Sequence, residues 1–147
     1  MKKIPVWKCE IVKESSVAGD WDSVNEPGKG AEIVAKYLGN TDREHLVVLL
    51  LNTKNKPIGL NTVSIGSLNS SMGHPREVFK PAILASANAL ILAHNHPSGD
   101  PAPSQEDKQL TARMIQAGDL LGIPVLDHII IGDGCYYSLK EHGDFPA

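Results

Sequence analysis

The chain has 147 residues, 41% of them hydrophobic and 21% charged, with a formal net charge of -3 and a pI near 6.0. That length fits one domain, which can bury about two-thirds of its unfolded surface without a disulfide to staple it. The acidic balance argues against a general phosphate-binding surface, and no run approaches the roughly 20 apolar residues of a bilayer span, so neither nucleic acid nor membrane is an expected partner.

Val6 to Val12 alternates faces and predicts a first strand, followed by a polar connection from Ser15 to Gly30. Cys9, in that strand, and Cys135 lie far apart and form no C-x-x-C pair. With no apolar stretch of signal-peptide length after the basic N-terminus, a reducing cytoplasm is the expected compartment. Ala31, Val34, Ala35 and Leu38 recur at helical intervals, and Gly39-Asn40 can end that helix. Leu46 to Leu51 is an uninterrupted apolar run, as expected of a strand covered on both faces, and a turn at Thr53 to Lys56 leads into a second strand, Pro57 to Ile65.

A second helix starts near His74-Pro75-Arg76-Glu77 and carries Val78, Phe79, Ala82 and Ile83, with Pro81 expected to kink it or mark a 3₁₀ turn. It feeds the strand Ala89 to His94. After a loop rich in proline and glycine, Ser104-Gln105-Glu106-Asp107 opens a long helix carrying Leu110, Met114, Ala117 and Leu121. Val125 to Ile131 is extended, Gly132-Asp133-Gly134 turns, Cys135 to Leu139 closes a hairpin, and Glu141 to Ala147 is expected to fray.

The chemistry concentrates in residues 94 to 107. Alternation along a strand points His94 and His96 the same way and Asn95 the other, and Pro97 holds His96 in extended torsions. A carboxylate in the first turn of the following helix can swing back toward both imidazoles, which makes Asp107 the third ligand. Two neutral imidazoles and one carboxylate suit a catalytic zinc, one per chain, with a fourth position open for water. Ser104 can cap its helix and also face the site.

Hydrolysis through activated water needs a base that takes its proton and returns it to a leaving amine. Glu44, at the entry to a buried strand, is one candidate; Glu77 and Glu106 compete with it. Asp127 and His128 lie on opposite faces of the penultimate strand, and either could support the site from behind the ligands or hold a structural hydrogen bond. His45, His74 and His142 carry less weight.

These residues resemble a known family. Glu44, then His94-Asn95-His96-Pro97, then Ser104-Gln105-Glu106-Asp107 looks like the JAMM signature of the JAB/MPN metalloprotease superfamily. The fuller run His94 to Pro101, with Pro75-Arg76-Glu77-Val78 upstream and Leu126-Asp127-His128 downstream, is similar to the RadC-like branch. The resemblance covers about residues 30 to 142. It implies a mixed α/β fold, a curved sheet flanked by helices in the JAB/MPN, cytidine-deaminase-like architecture. It also implies zinc on His94, His96 and Asp107, Glu44 as general acid/base, and Ser104 stabilising the oxyanion of amide hydrolysis.

On this reading residues 1–29 are a strand and loop of the same domain, 30–142 the RadC-like domain and 143–147 a flexible tail. Residues 1–29 are too short for the helix-hairpin-helix region that many RadC-like proteins carry, so a catalytic-type domain alone is expected. Its partner is expected to be a peptide or protein substrate, and a homo-oligomer is compatible with the composition. A non-catalytic binding module in DNA maintenance or mobile-element biology is the alternative. A nuclease is disfavoured, because His94-Asn95-His96 is contiguous where ββα-metal nucleases disperse these residues.

Overall fold

The computed structural model describes residues 1–66 and 73–145. Five strands, β1 (His45–Leu51), β2 (Pro57–Ile65), β3 (Ala89–Asn95), β4 (Val125–Ile131) and β5 (Tyr136–Ser138), form one mixed sheet in the order β2-β1-β3-β4-β5. Helices α1 (Pro27–Leu38), α2 (Pro75–Leu84) and α3 (Gln105–Leu121) flank it. Among the described residues only β3 and β4 run parallel, joined by the crossover through α3; the other neighbours are antiparallel.

Sheet alternation divides the core in two. Leu46, Val48 and Leu50 of β1 and Leu90 and Leu92 of β3 face Val78 and Phe79 of α2 and Met114 of α3. Leu49, Leu51, Ile91, Ala93 and Ile129 face Ala31, Ile33 and Val34 of α1. The apolar run in β1 is thus covered on both faces, and all of Leu46 to Leu51 are buried. His94 continues the row of Leu90 and Leu92, so the sheet delivers it to the α3 side. Asn95 falls on the α1 side.

Helix α3 begins with a full capping box. Asp107 donates its main-chain N–H to Ser104 Oγ (3.1 Å), and Ser104 N–H donates to Asp107 Oδ2 (2.8 Å). It stops at Gly122, whose φ of 74° is the left-handed cap that glycine adopts without strain. Gly118 lets this helix lie close to β4, since a Cβ there would sit 2.5 Å from the Ile123 carbonyl oxygen.

Several expectations need correction. Val6 to Val12 does not form a strand; every residue of it is exposed, because alternation provides a face but no hydrogen-bonded neighbour. Helix α1 begins at Pro27, where proline's fixed φ suits the first turn, earlier than the Ala31 stripe implied. Pro81 lies inside α2, in place of the early 3₁₀ turn it could have marked, and Cys135 precedes β5. The C-terminal residues hold contacts: Phe145 packs on the α2/α3 core, and Asp144 accepts from Tyr137 Oη and pairs with Lys108. Among the described residues, no helix is long and apolar enough to cross a membrane.

Candidate metal centre

Strand β3 ends where α3 begins, and the two ends meet. His94 Nε2 lies 2.9 Å from His96 Nε2 and 3.2 Å from Asp107 Oδ1, and His96 Nε2 lies 3.3 Å from Asp107 Oδ2. One donor atom from each residue falls within 4.8 Å of the others. Ligand bonds of roughly 2.0–2.1 Å in a tetrahedron put donor atoms about 3.3 Å apart, so the spacing and the N/N/O donor set fit a divalent cation. His94 is fully buried, Asp107 is buried and His96 is half-buried.

The surroundings prepare each donor. His96 Nδ1 lies 2.9 Å from the Asp100 carbonyl oxygen, which can only accept, so the ring carries its proton there and leaves Nε2 bare. The hydrogen bond that a protonated ring would give Asp107 raises the His96 pKa, helped by the Asp100 carbonyl and by the charge of Glu44, against the opposing effect of burial. Burial alone would push the Asp107 carboxyl up. The adjoining His94 and His96 rings, whose protonated forms would donate to it, and the hydrogen bond from the Ser104 N–H outweigh it and hold that carboxyl well below the usual carboxylate range. An ionised carboxylate is therefore ready in place.

The loop between β3 and α3 is braced on the far turn. Gly99, at φ 91°, takes a conformation open to glycine, and its carbonyl accepts from Asp133 N–H at 2.9 Å. His96 N–H donates to the Ile131 carbonyl, also at 2.9 Å, so the second imidazole is tied to the end of β4.

Asn95 works on the opposite face. Its Oδ1 accepts from the His45 N–H at 2.7 Å, and its Nδ2 donates to Thr41 Oγ1 and to the Arg43 carbonyl, each at 2.9 Å. The amide clasps both sides of Glu44, whose own carbonyl accepts from Gly66 N–H at 2.8 Å. Glu44 is half-buried, and its charge reaches His96. The rival acids are placed otherwise: Glu77 is exposed and pairs with Lys80 at 3.1 Å, and Glu106 is exposed.

Behind His94 lies His128, fully buried, with Nε2 2.8 Å from His94 Nδ1. Thr111 Oγ1 is 2.5 Å from His128 Nδ1 and donates to the Asp107 carbonyl at 2.8 Å. Of the pair in β4, His128 therefore joins the site. Asp127 instead accepts from Ser138 Oγ and from the His128 and Lys140 N–H groups. Thr111 escaped the sequence reading, although its i+4 spacing from Asp107 puts it on the same helical face. His45 meets the Arg43 carbonyl, His74 is the N-cap of α2 and His142 stacks on Tyr137.

A family model for the RadC-like JAB domain matches residues 24–144, most of the chain. The chain belongs to the RadC-like JAB domain family. It is 54% identical over 82% of its length to a UPF0758 protein of Rubrobacter xylanophilus, covering 52% of that protein. A UPF0758 protein of Caldanaerobacter subterraneus subsp. tengcongensis is 53% identical over 87% of the chain and 55% of its own length. One from Desulforamulus reducens is 60% identical over 76% of the chain and 49% of its own length. The chain thus spans about half the length of these curated relatives. The mixed sheet flanked by three helices agrees with the fold expected of a JAB domain.

Proposed function

We propose that this JAB domain is a zinc-dependent metallopeptidase or isopeptidase that hydrolyses an amide bond of a peptide or protein substrate. The observation that carries the reading is the meeting of His94, His96 and Asp107 at one point beside the charge of Glu44. Zinc held by these three residues would lower the pKa of water toward about 7 and polarise the scissile carbonyl.

The protein's own groups do the remaining work. Glu44 takes the proton of the attacking water on its carboxylate as the new C–O bond forms, then delivers it to the amine nitrogen as the C–N bond breaks. Its main chain is held on both sides by Asn95, so the carboxylate returns to the same place each turnover. The Ser104 oxygen already accepts from Asp107 N–H, so its hydroxyl hydrogen points elsewhere; in this reading it donates to the tetrahedral oxyanion. A groove of about 600 Å³ on the α1 side of the sheet, lined in part by Leu38, Thr41, Asn95, Pro97 and Ile131, reaches the site through His96.

Glu44→Gln tests the assignment, since it keeps the shape and removes only the proton acceptor. The variant is expected to retain zinc while turnover of a peptide and isopeptide panel falls by at least about 100-fold. Full activity in Glu44→Gln with none in Glu77→Gln would overturn the choice of base.

A further inference from the structure

His128 is an imidazole buried in β4 that no step above uses. Its two ring nitrogens are both engaged, and the polarity of those bonds follows from the end of the chain they belong to. The Asp107 main-chain carbonyl can only accept, so Thr111 Oγ1 is the donor of that 2.8 Å bond. Having given its hydrogen there, the Thr111 oxygen accepts from His128 Nδ1–H, 2.5 Å away. A neutral ring carries one proton, so His128 Nε2 is bare and accepts from His94 Nδ1–H at 2.8 Å. His94 then has its proton on Nδ1, and Nε2, the atom that faces Asp107 and His96, is free to ligate.

We infer that His128 and Thr111 are positioning residues for the metal: a two-member relay that fixes the tautomer and ring orientation of His94 and returns to the backbone of the other buried ligand, Asp107. The inference rests on the reading of His94, His96 and Asp107 as ligands. The loop is closed, running from His94 through His128 and Thr111 to Asp107, and every member is buried. The two histidine ligands are set differently. His96 is fixed by the Asp100 carbonyl, a group of the loop itself, and His94, sealed in the sheet, takes a side-chain acceptor from the next strand. An acceptor behind a ligating imidazole raises its basicity, and losing such a group typically lowers metal affinity about 10- to 100-fold.

The test is zinc affinity of the purified chain, read by competition with a chromogenic chelator, in three variants. His128→Phe keeps a buried ring and offers His94 no acceptor; its affinity is expected to fall about 10- to 100-fold. Thr111→Val keeps the shape of Thr111, removes the hydroxyl and should weaken binding by several-fold, roughly. His128→Gln restores an oxygen that can accept from His94 Nδ1–H, and it should recover most of the affinity lost in the phenylalanine variant. A merely structural His128 would lower thermal stability without ordering the affinities by acceptor. Nitrogen-15 spectra of the zinc-loaded wild type should show His128 protonated on Nδ1, a readout that does not depend on how any variant folds.

Wild-type affinity in both His128→Phe and Thr111→Val overturns the inference, as does a His128 proton found on Nε2. Neither result touches the hydrolase reading, which stands on turnover. Conversely, a wild type that binds zinc with the predicted ordering and cleaves no amide leaves the relay in place and removes the hydrolase.

Discussion

Asp107 shows how much one side chain can be asked to do. As the third residue of α3 it closes the capping box with Ser104, and the same carboxylate faces His94 and His96. The sequence displays both duties, because Ser-x-x-Asp after His-x-His is local and its spacing translates directly into geometry. Asn95 is the opposite case. Alternation correctly turns it away from the histidines, but its partners lie 50 to 54 residues earlier in the chain, and no local pattern reveals them. Asn95→Ala should cost about 1–3 kcal/mol, since it removes the acceptor of the half-buried His45 N–H and a donor to the Arg43 carbonyl. Amide hydrogen exchange should speed up in residues 41–45 while zinc content stays unchanged. Protection equal to wild type in that segment would mean that Asn95 does not hold it.

Helix α3 and strand β4 carry Asp107 and His128, and their close approach depends on Gly118. Glycine inside a helix ordinarily costs about 0.5–1 kcal/mol relative to alanine. Here the sign should reverse, because the added Cβ meets a backbone carbonyl at 2.5 Å and side chains of Phe79 and Val125 at 3.3 Å. Gly118→Ala is expected to lose about 1–3 kcal/mol in denaturant unfolding; equal or higher stability would contradict the packing. At the other side of β4, burial raises the pKa of Asp127 against the hydrogen bonds from Ser138 and from the Lys140 and His128 N–H groups. A raised folded pKa means that this group's stabilising contribution is complete below its ordinary value of 3.8 and is lost as pH rises through the folded value. Wild type should therefore gain stability relative to Asp127→Asn as pH falls from about 7 to 4. A difference that stays flat, or changes the other way, would show that the carboxyl is not strained by burial.

For the molecule as a whole, the elements that bury a face and the hairpin strands β2 and β5 that follow local turns were readable, and pairing between distant segments was not. The run Leu46 to Leu51 announced a strand covered on both sides, and α1 and α2/α3 do cover it. Val6 to Val12 had the alternation of a strand but stays unpaired, since hydrophobic period describes a face and says nothing about a hydrogen-bonding edge. The strand order was equally hidden: the parallel pairing of β3 with β4 through α3 is a tertiary fact. Yet that pairing builds the site, because it puts His128 against His94 and brings the start of α3 back to the end of β3. The account stands or falls on whether the assembled residues take a metal. Elemental mass spectrometry of the purified chain, beside an Asp107→Ala control prepared identically, measures this directly. About one zinc per chain, lost in the control, is the predicted result; no metal in either sample, even after zinc is supplied, would contradict it.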